Sequence, residues 1–193
     1  MKTVLLTVLL LSIQVFAKHG VEGGMSGGGG YVINPESPVK YIDPEHVEDM
    51  IEEHGAPCLD NYLQAKNQKL QNGQVLGHEI AALQKIFSKE QNIFKTMKET
   101  KIIVEEEKSC FGKDGEPTDG SFFNSKKKAI CISAKNIAEK VHHTELKPQA
   151  LALMAHEYAE VMGLSEDDAV QVQKIVLDDL KQLGTTPGYG HSK

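Results

Sequence analysis

The sequence predicts a mainly helical α+β single domain with a small antiparallel β-hairpin. Three observations carry that expectation. Apolar residues recur at helical spacing over long stretches, as in Val75, Ile80, Leu83, Ile86, Phe87, Ile93, Phe94 and Met97, and again in Val170, Val172, Ile175, Val176, Leu180 and Leu183. Only two short runs are β-branched enough for strands, Ile102-Ile103-Val104 and Ile130-Cys131-Ile132. Helix caps and glycine or proline stops punctuate the rest.

Taken in order, residues 1–17 read as a secretory signal peptide. Lys2 supplies the positive end, Thr3 to Ile13 the apolar run, and Val15-Phe16-Ala17 a cleavage site after Ala17. The run is shorter than the roughly 20 residues of a membrane span, and no later segment is apolar enough to be one. A secreted or periplasmic protein follows. Residues 18–42, with Gly27 to Gly30, read as a flexible Gly-rich leader, 43–184 as the globular domain, and 185–193 as a flexible tail.

Asp43-Pro44-Glu45 starts a helix with an Asp cap, Pro in the first position and an acid near the positive dipole end. It is expected to run to His54 and stop at Gly55-Ala56-Pro57. A second helix reaches Leu70, and the amphipathic stretch from Gln74 to Thr100 follows. The strands are expected over 101–107 and 128–133, paired antiparallel. After a short helix over 134–141, Thr144 is the expected cap of a helix that runs to Met162. Gly163 suits its left-handed end, and Ser165 caps the last helix.

The net charge is −6, and every basic residue is Lys. Nucleic-acid binders use a basic face and forked Arg contacts, so no nucleic-acid partner is expected. Lys126-Lys127-Lys128 reads as a solvated approach to a strand, and Glu105-Glu106-Glu107 as a charged strand end. Three cysteines in an exported chain allow one disulfide. Cys110 and Cys131 flank a loop rich in Gly, Asp, Ser and Lys and are the expected pair, closing a loop worth about 3 kcal/mol. Cys58 is then a free thiol or an intermolecular partner.

The chemistry-bearing stretch is His156-Glu157-Tyr158-Ala159-Glu160, followed by Gly163 and Glu166. On a helix, His156 and Glu160 stand one turn apart, about 40° around the axis, with Glu157 about 100° away. An imidazole and a carboxylate at that spacing can share one ion. Gly163 lets the chain turn, so that Glu166, or alternatively Asp168, swings back as a third ligand. Glu157 is placed as general base beside the ion. A second reading makes the same stripe the solvent edge of a packed helix, with His156 and Glu160 an ordinary surface pair. His142-His143 reads as a solvated pair before the helix.

This stretch resembles the zincin metallopeptidases, in spacing the pattern H-E-x-x-H-x-x-G-x-x-H. His156, Glu157 and Gly163 match position for position, while Glu160 and Glu166 stand where that pattern has His. The acidic opening of the last helix is similar to zincins whose third ligand is a downstream Glu. The resemblance covers residues 145–184. It implies a zincin-like active-site helix beside a small sheet, Zn²⁺ or another divalent metal as cofactor, and a peptide or protein substrate. Two or three carboxylates around one His make a harder set that favours Mn²⁺, Fe²⁺ or Ca²⁺ over Zn²⁺. The competing function is a non-catalytic exported scaffold or pseudo-enzyme.

Overall fold

The computed structural model describes residues 30–33, 42–88, 92–123 and 128–185. The expected signal peptide, most of the leader, Lys126-Lys127 and the tail beyond Thr185 lie outside these residues. Helix α1 (Pro44–Asp49) begins as the sequence indicates, the Asp43 carboxylate accepting from the Glu45 amide at 3.2 Å. The expected stop at Gly55-Ala56-Pro57 does not occur. The helix widens into a π-helical stretch (Met50–Gly55) and continues as α2 (Ala56–Gln71). A proline cannot donate back along the helix and its ring crowds the carbonyl one turn earlier, and a local widening of the turn relieves that conflict. Gly55 is a packing residue here. A side chain on it would meet Met154 Sδ at 3.0 Å.

The stretch from Gln74 to Thr100 divides into α3 (Ile80–Ile86) and α4 (Ile93–Glu99). Asn92 makes the division, since its side chain accepts from the Phe94 amide at 2.9 Å and caps α4. Phe87 and Phe94 stack across the break with ring centroids 5.7 Å apart.

Among the described residues five strands follow: β1 (Lys101–Glu105), β2 (Cys110–Phe111), β3 (Pro117–Thr118), β4 (Gly120–Phe123) and β5 (Ala129–Ser133). The expected antiparallel pairing of 101–107 with 128–133 is corrected: β1 and β5 are parallel, with Lys101 opposite Ala129 and Glu105 opposite Ser133. The antiparallel partner of β5 is β4, and β2 pairs antiparallel with β3. The sheet order is β1-β5-β4. β4 runs opposite to β5, so the chain reverses once between β1 and β4 and again between β4 and β5, and β1 and β5 point the same way. β4 carries no strand signal in the sequence because Gly-Ser-Phe-Phe is too short for an alternating pattern.

Cys110 and Cys131 form the expected disulfide, which ties β2 to the central strand, while Cys58 is a half-buried free thiol. Changing both bonded cysteines to Ser is expected to cost about 3 kcal/mol and to lower the melting temperature by about 10 °C. A calorimetric shift under 2 °C would show that the loop is already held by the sheet.

β5 leads directly into α5 (Ala134–Lys140), where the Ser133 hydroxyl caps the Asn136 amide at 3.1 Å. Then come α6 (Leu146–Val161) and α7 (Glu166–Thr185). Thr144 is not the cap of α6. Its hydroxyl meets His142 Nδ1 at 2.9 Å, and Glu145 takes the cap position. α6 packs on α7, on β4 and β5, and on α2 and the π-helical stretch. Its side chains are buried all round, which marks a helix at the centre of a domain. One core joins Ile51, Leu59 and Leu63 to Ile130, Ile132, Ile137, Leu151 and Leu153. Among the described residues no helix is long and apolar enough to cross a membrane.

Candidate metal centre

α6 carries the site. Its end is closed by Gly163 in the left-handed region (φ 89°), with the Gly163 amide donating to Glu160 O at 2.8 Å and the Leu164 amide to Ala159 O at 3.1 Å. That pair of bonds is a Schellman end. A side chain at a positive φ is strained, so the turn depends on glycine here. The chain reverses within a few residues, and α7 starts beside the last turn of α6. Ser165 caps it, accepting from the Asp168 amide at 3.3 Å.

The reversal brings Glu166 back to the helix it follows. His156 Nε2 lies 3.7 Å from Glu160 Oε2 and 3.6 Å from Glu166 Oε1. His156, Glu157 and Glu160 each place one donor atom within 4.8 Å of the others. Asp168, the alternative to Glu166, points elsewhere and holds Lys85 at 2.6 Å. His142 and His143 lie against one another at the far end of α6, their rings tilted by 48° with centroids 4.3 Å apart.

The surface-edge reading does not hold. His156 is 1 % exposed, Glu157 0 % and Glu160 5 %. Neither imidazole nitrogen makes a hydrogen bond of ordinary geometry, and Glu157 Oε2 makes none. A buried polar atom left so costs about 1–3 kcal/mol, which makes this an expensive place for packing alone. Burial pushes the His156 imidazole below its usual range, against the opposing pull of Glu166 and Gln173. The ring is therefore neutral at pH 7, with a lone pair available. Burial, then Glu160, then Glu166 push the Glu157 carboxyl well above the usual carboxylate range, while the Gly30 amide works the other way.

The donor set fits a divalent cation. Ligand distances of about 2.0–2.2 Å in a tetrahedral arrangement separate donor atoms by about 3.3–3.6 Å, close to the two His156 separations. The set is one imidazole with carboxylates, which suits the harder divalent ions as well as zinc.

Several residues of the site escaped the sequence reading. Gly30, placed in the leader, and Gly120, in the loop between Cys110 and Cys131, pack against Glu157. A side chain on Gly120 would meet Glu157 Oε1 at 2.5 Å, and one on Gly30 would overlap the same oxygen. Gly30 N lies 3.2 Å from Glu157 Oε1. Gln149 and Gln173 are buried beside them. Gln149 lies seven residues before His156, about 20° around the helix from it, so a polar residue on that stripe was the available signal.

Compared with protein-family models, with curated proteins and with solved structures, the chain matches none.

Proposed function

We propose that this chain is an exported, zincin-like, metal-dependent peptidase. His156, Glu160 and Glu166 would hold a divalent ion, and Glu157 would act as its general base. The observation that carries the reading is one buried imidazole nitrogen within 3.7 Å of two carboxylates from two consecutive helices. A bound ion of this kind supplies Lewis acidity and a water acidic enough to ionise near neutral pH.

The chain's own residues do the rest. α6 fixes His156 and Glu160 at one-turn spacing, and the Gly163 turn delivers Glu166. Glu157 sits on the sheet side with its basicity raised by burial, as a proton acceptor needs. β4 and the segment at Gly30 exclude water from it.

A specific observation favours the second reading, a non-catalytic pseudo-enzyme: Glu157 is fully enclosed and its carboxylate is engaged by the Gly30 amide. Metal analysis separates the two. After chelation and reloading, the purified chain is expected to hold about one equivalent of Zn²⁺ or Mn²⁺. Less than about a tenth of an equivalent at saturating metal would sink the metal reading. If metal binds, Glu157→Gln is expected to leave occupancy near wild type and to reduce peptide hydrolysis at least about 100-fold.

A further inference from the structure

Residues 30–33 lie across the candidate site as a strap, held to the described residues through their main chain. Gly30 N donates to Gly120 O at 3.1 Å, and Gly120 N and Asp119 N donate to Gly30 O at 3.0 and 3.1 Å. Gly30 thus extends the sheet as an antiparallel partner on the β4 edge. Val32 N donates to Asp119 Oδ2 at 2.9 Å. The Gln149 amide closes on Ile33 from both sides, its Oε1 accepting from Ile33 N at 3.2 Å and its Nε2 donating to Ile33 O at 2.7 Å. Gln173 Nε2 donates to Tyr31 O at 2.6 Å. Lys140 pairs with Asp119 and lies 5.7 Å from the Tyr31 ring centroid.

Asp119, Gln149 and Gln173 are all buried. Three buried polar side chains from three parts of the fold therefore turn toward the backbone of residues 31–33. Such groups are costly when unpaired, so the groove is built to hold an extended chain. Sheet-edge pairing with side-chain clamps on main-chain groups is how proteins grip extended peptides, and it is tolerant of the peptide's side chains. Tyr31 agrees with that tolerance, since half its surface is exposed. The exception is the first position. A side chain at Gly30 would overlap Glu157 and come within 2.8 Å of Leu153 Cδ1.

We propose that the groove between the β4 edge, Gln149 and Gln173 is a binding site for an extended peptide with glycine over Glu157, and that residues 30–33 are its resident occupant, keeping the site closed. The inference rests on the peptidase reading for what an incoming peptide would meet, but binding itself requires no metal. A tethered segment competes at an effective concentration of roughly millimolar, so a free peptide enters only when the strap is displaced.

The test uses the full chain in EDTA. The probe is a fluorescent, acetylated peptide of residues 28–35, followed by anisotropy. Gly30→Val is expected to expel the strap and to bind the probe in the micromolar range, with wild type binding at least about tenfold more weakly. A probe carrying Ala at the Gly30 position is expected to bind the variant at least about tenfold more weakly than the Gly probe. Val32→Pro, which removes the donor to Asp119, is the second variant and is expected to bind the probe as well. In wild type, hydrogen exchange at the Val32 and Ile33 amides is expected to be slowed at least about 100-fold. Unprotected amides there, no probe binding to either folded variant, or equal binding of the Gly and Ala probes would each overturn the groove. Because EDTA is present, such a failure counts against the groove alone, whereas absent metal uptake counts against the peptidase reading alone.

Discussion

Replacing Lys66 with Ala is expected to destabilise the chain by about 3–5 kcal/mol, the usual effect of removing one partner from a buried ion pair. Lys66 Nζ lies 3.0 Å from Glu79 Oε2 and 2.7 Å from Asp179 Oδ2, and the residue is 5 % exposed. Glu79 also accepts from the Leu76 amide at 3.1 Å, and Asp179 accepts from the Tyr62 hydroxyl at 2.8 Å. The same burial, with Asp179 and Glu79 adding to it, pushes the Tyr62 hydroxyl far above its ordinary range. One ammonium thus joins α2, the approach to α3, and α7. Without it two carboxylates face each other with little water. The cleft of about 590 Å³ beside Tyr62, Lys66 and Asp179 admits some solvent, which places the expectation nearer the lower figure. Against a total stability of about 5–15 kcal/mol, guanidinium denaturation should show the loss plainly. A second change that removes a stranded charge, Lys66→Met with Glu79→Gln, should recover part of it. A loss under about 1 kcal/mol for Lys66→Ala would mean that the pair behaves as a surface one.

The second large effect runs the other way. With metal chelated, Glu157→Gln is expected to stabilise the chain by about 1–3 kcal/mol at pH 8, while removing any hydrolysis. Glu157 is enclosed beside Glu160, and burial first, then Glu160, raise its carboxyl well above the normal range. The sign follows from proton binding. Above about pH 4.3 an unfolded Glu has released its proton, whereas the native one keeps it until its higher pKa. Between those points the native state binds more protons, so stability falls as pH rises. Gln carries no such dependence, and its side-chain oxygen still accepts from the Gly30 amide. The advantage of the variant should therefore be small near pH 4 and grow with pH. Melting curves in EDTA across that range decide it. A variant less stable than wild type at pH 8 would show that the carboxylate is charged and well compensated in the native state.

His78-Glu79 and His156-Glu157 are the same dipeptide with different fates, which shows where sequence reading ended. Glu79 is taken up by Lys66 in a structural cluster. Glu157 is walled by two glycines that are 90 residues apart in the chain. Local chemistry was enough for the Asp43 and Ser165 caps, the Gly163 turn, the β5 run and the Cys110–Cys131 pair. Local signals misled at Gly55-Ala56-Pro57, where a packing requirement against Met154 and a π-helical widening replaced a stop. They were also insufficient for strand direction, because hydrophobic pattern shows which face is buried and not which way the neighbour runs.

The sequence by itself determined a mainly helical chain and the one-turn spacing of His156 and Glu160, since helix periodicity, caps and glycine conformations are properties of near neighbours. Tertiary structure alone decided that the polar stripe is buried, that Glu166 rather than Asp168 returns to His156, that β1 runs parallel to β5, and that Gly30 closes over Glu157. Each of those depends on segments far apart in the chain meeting through packing and main-chain hydrogen bonds, which no local pattern encodes.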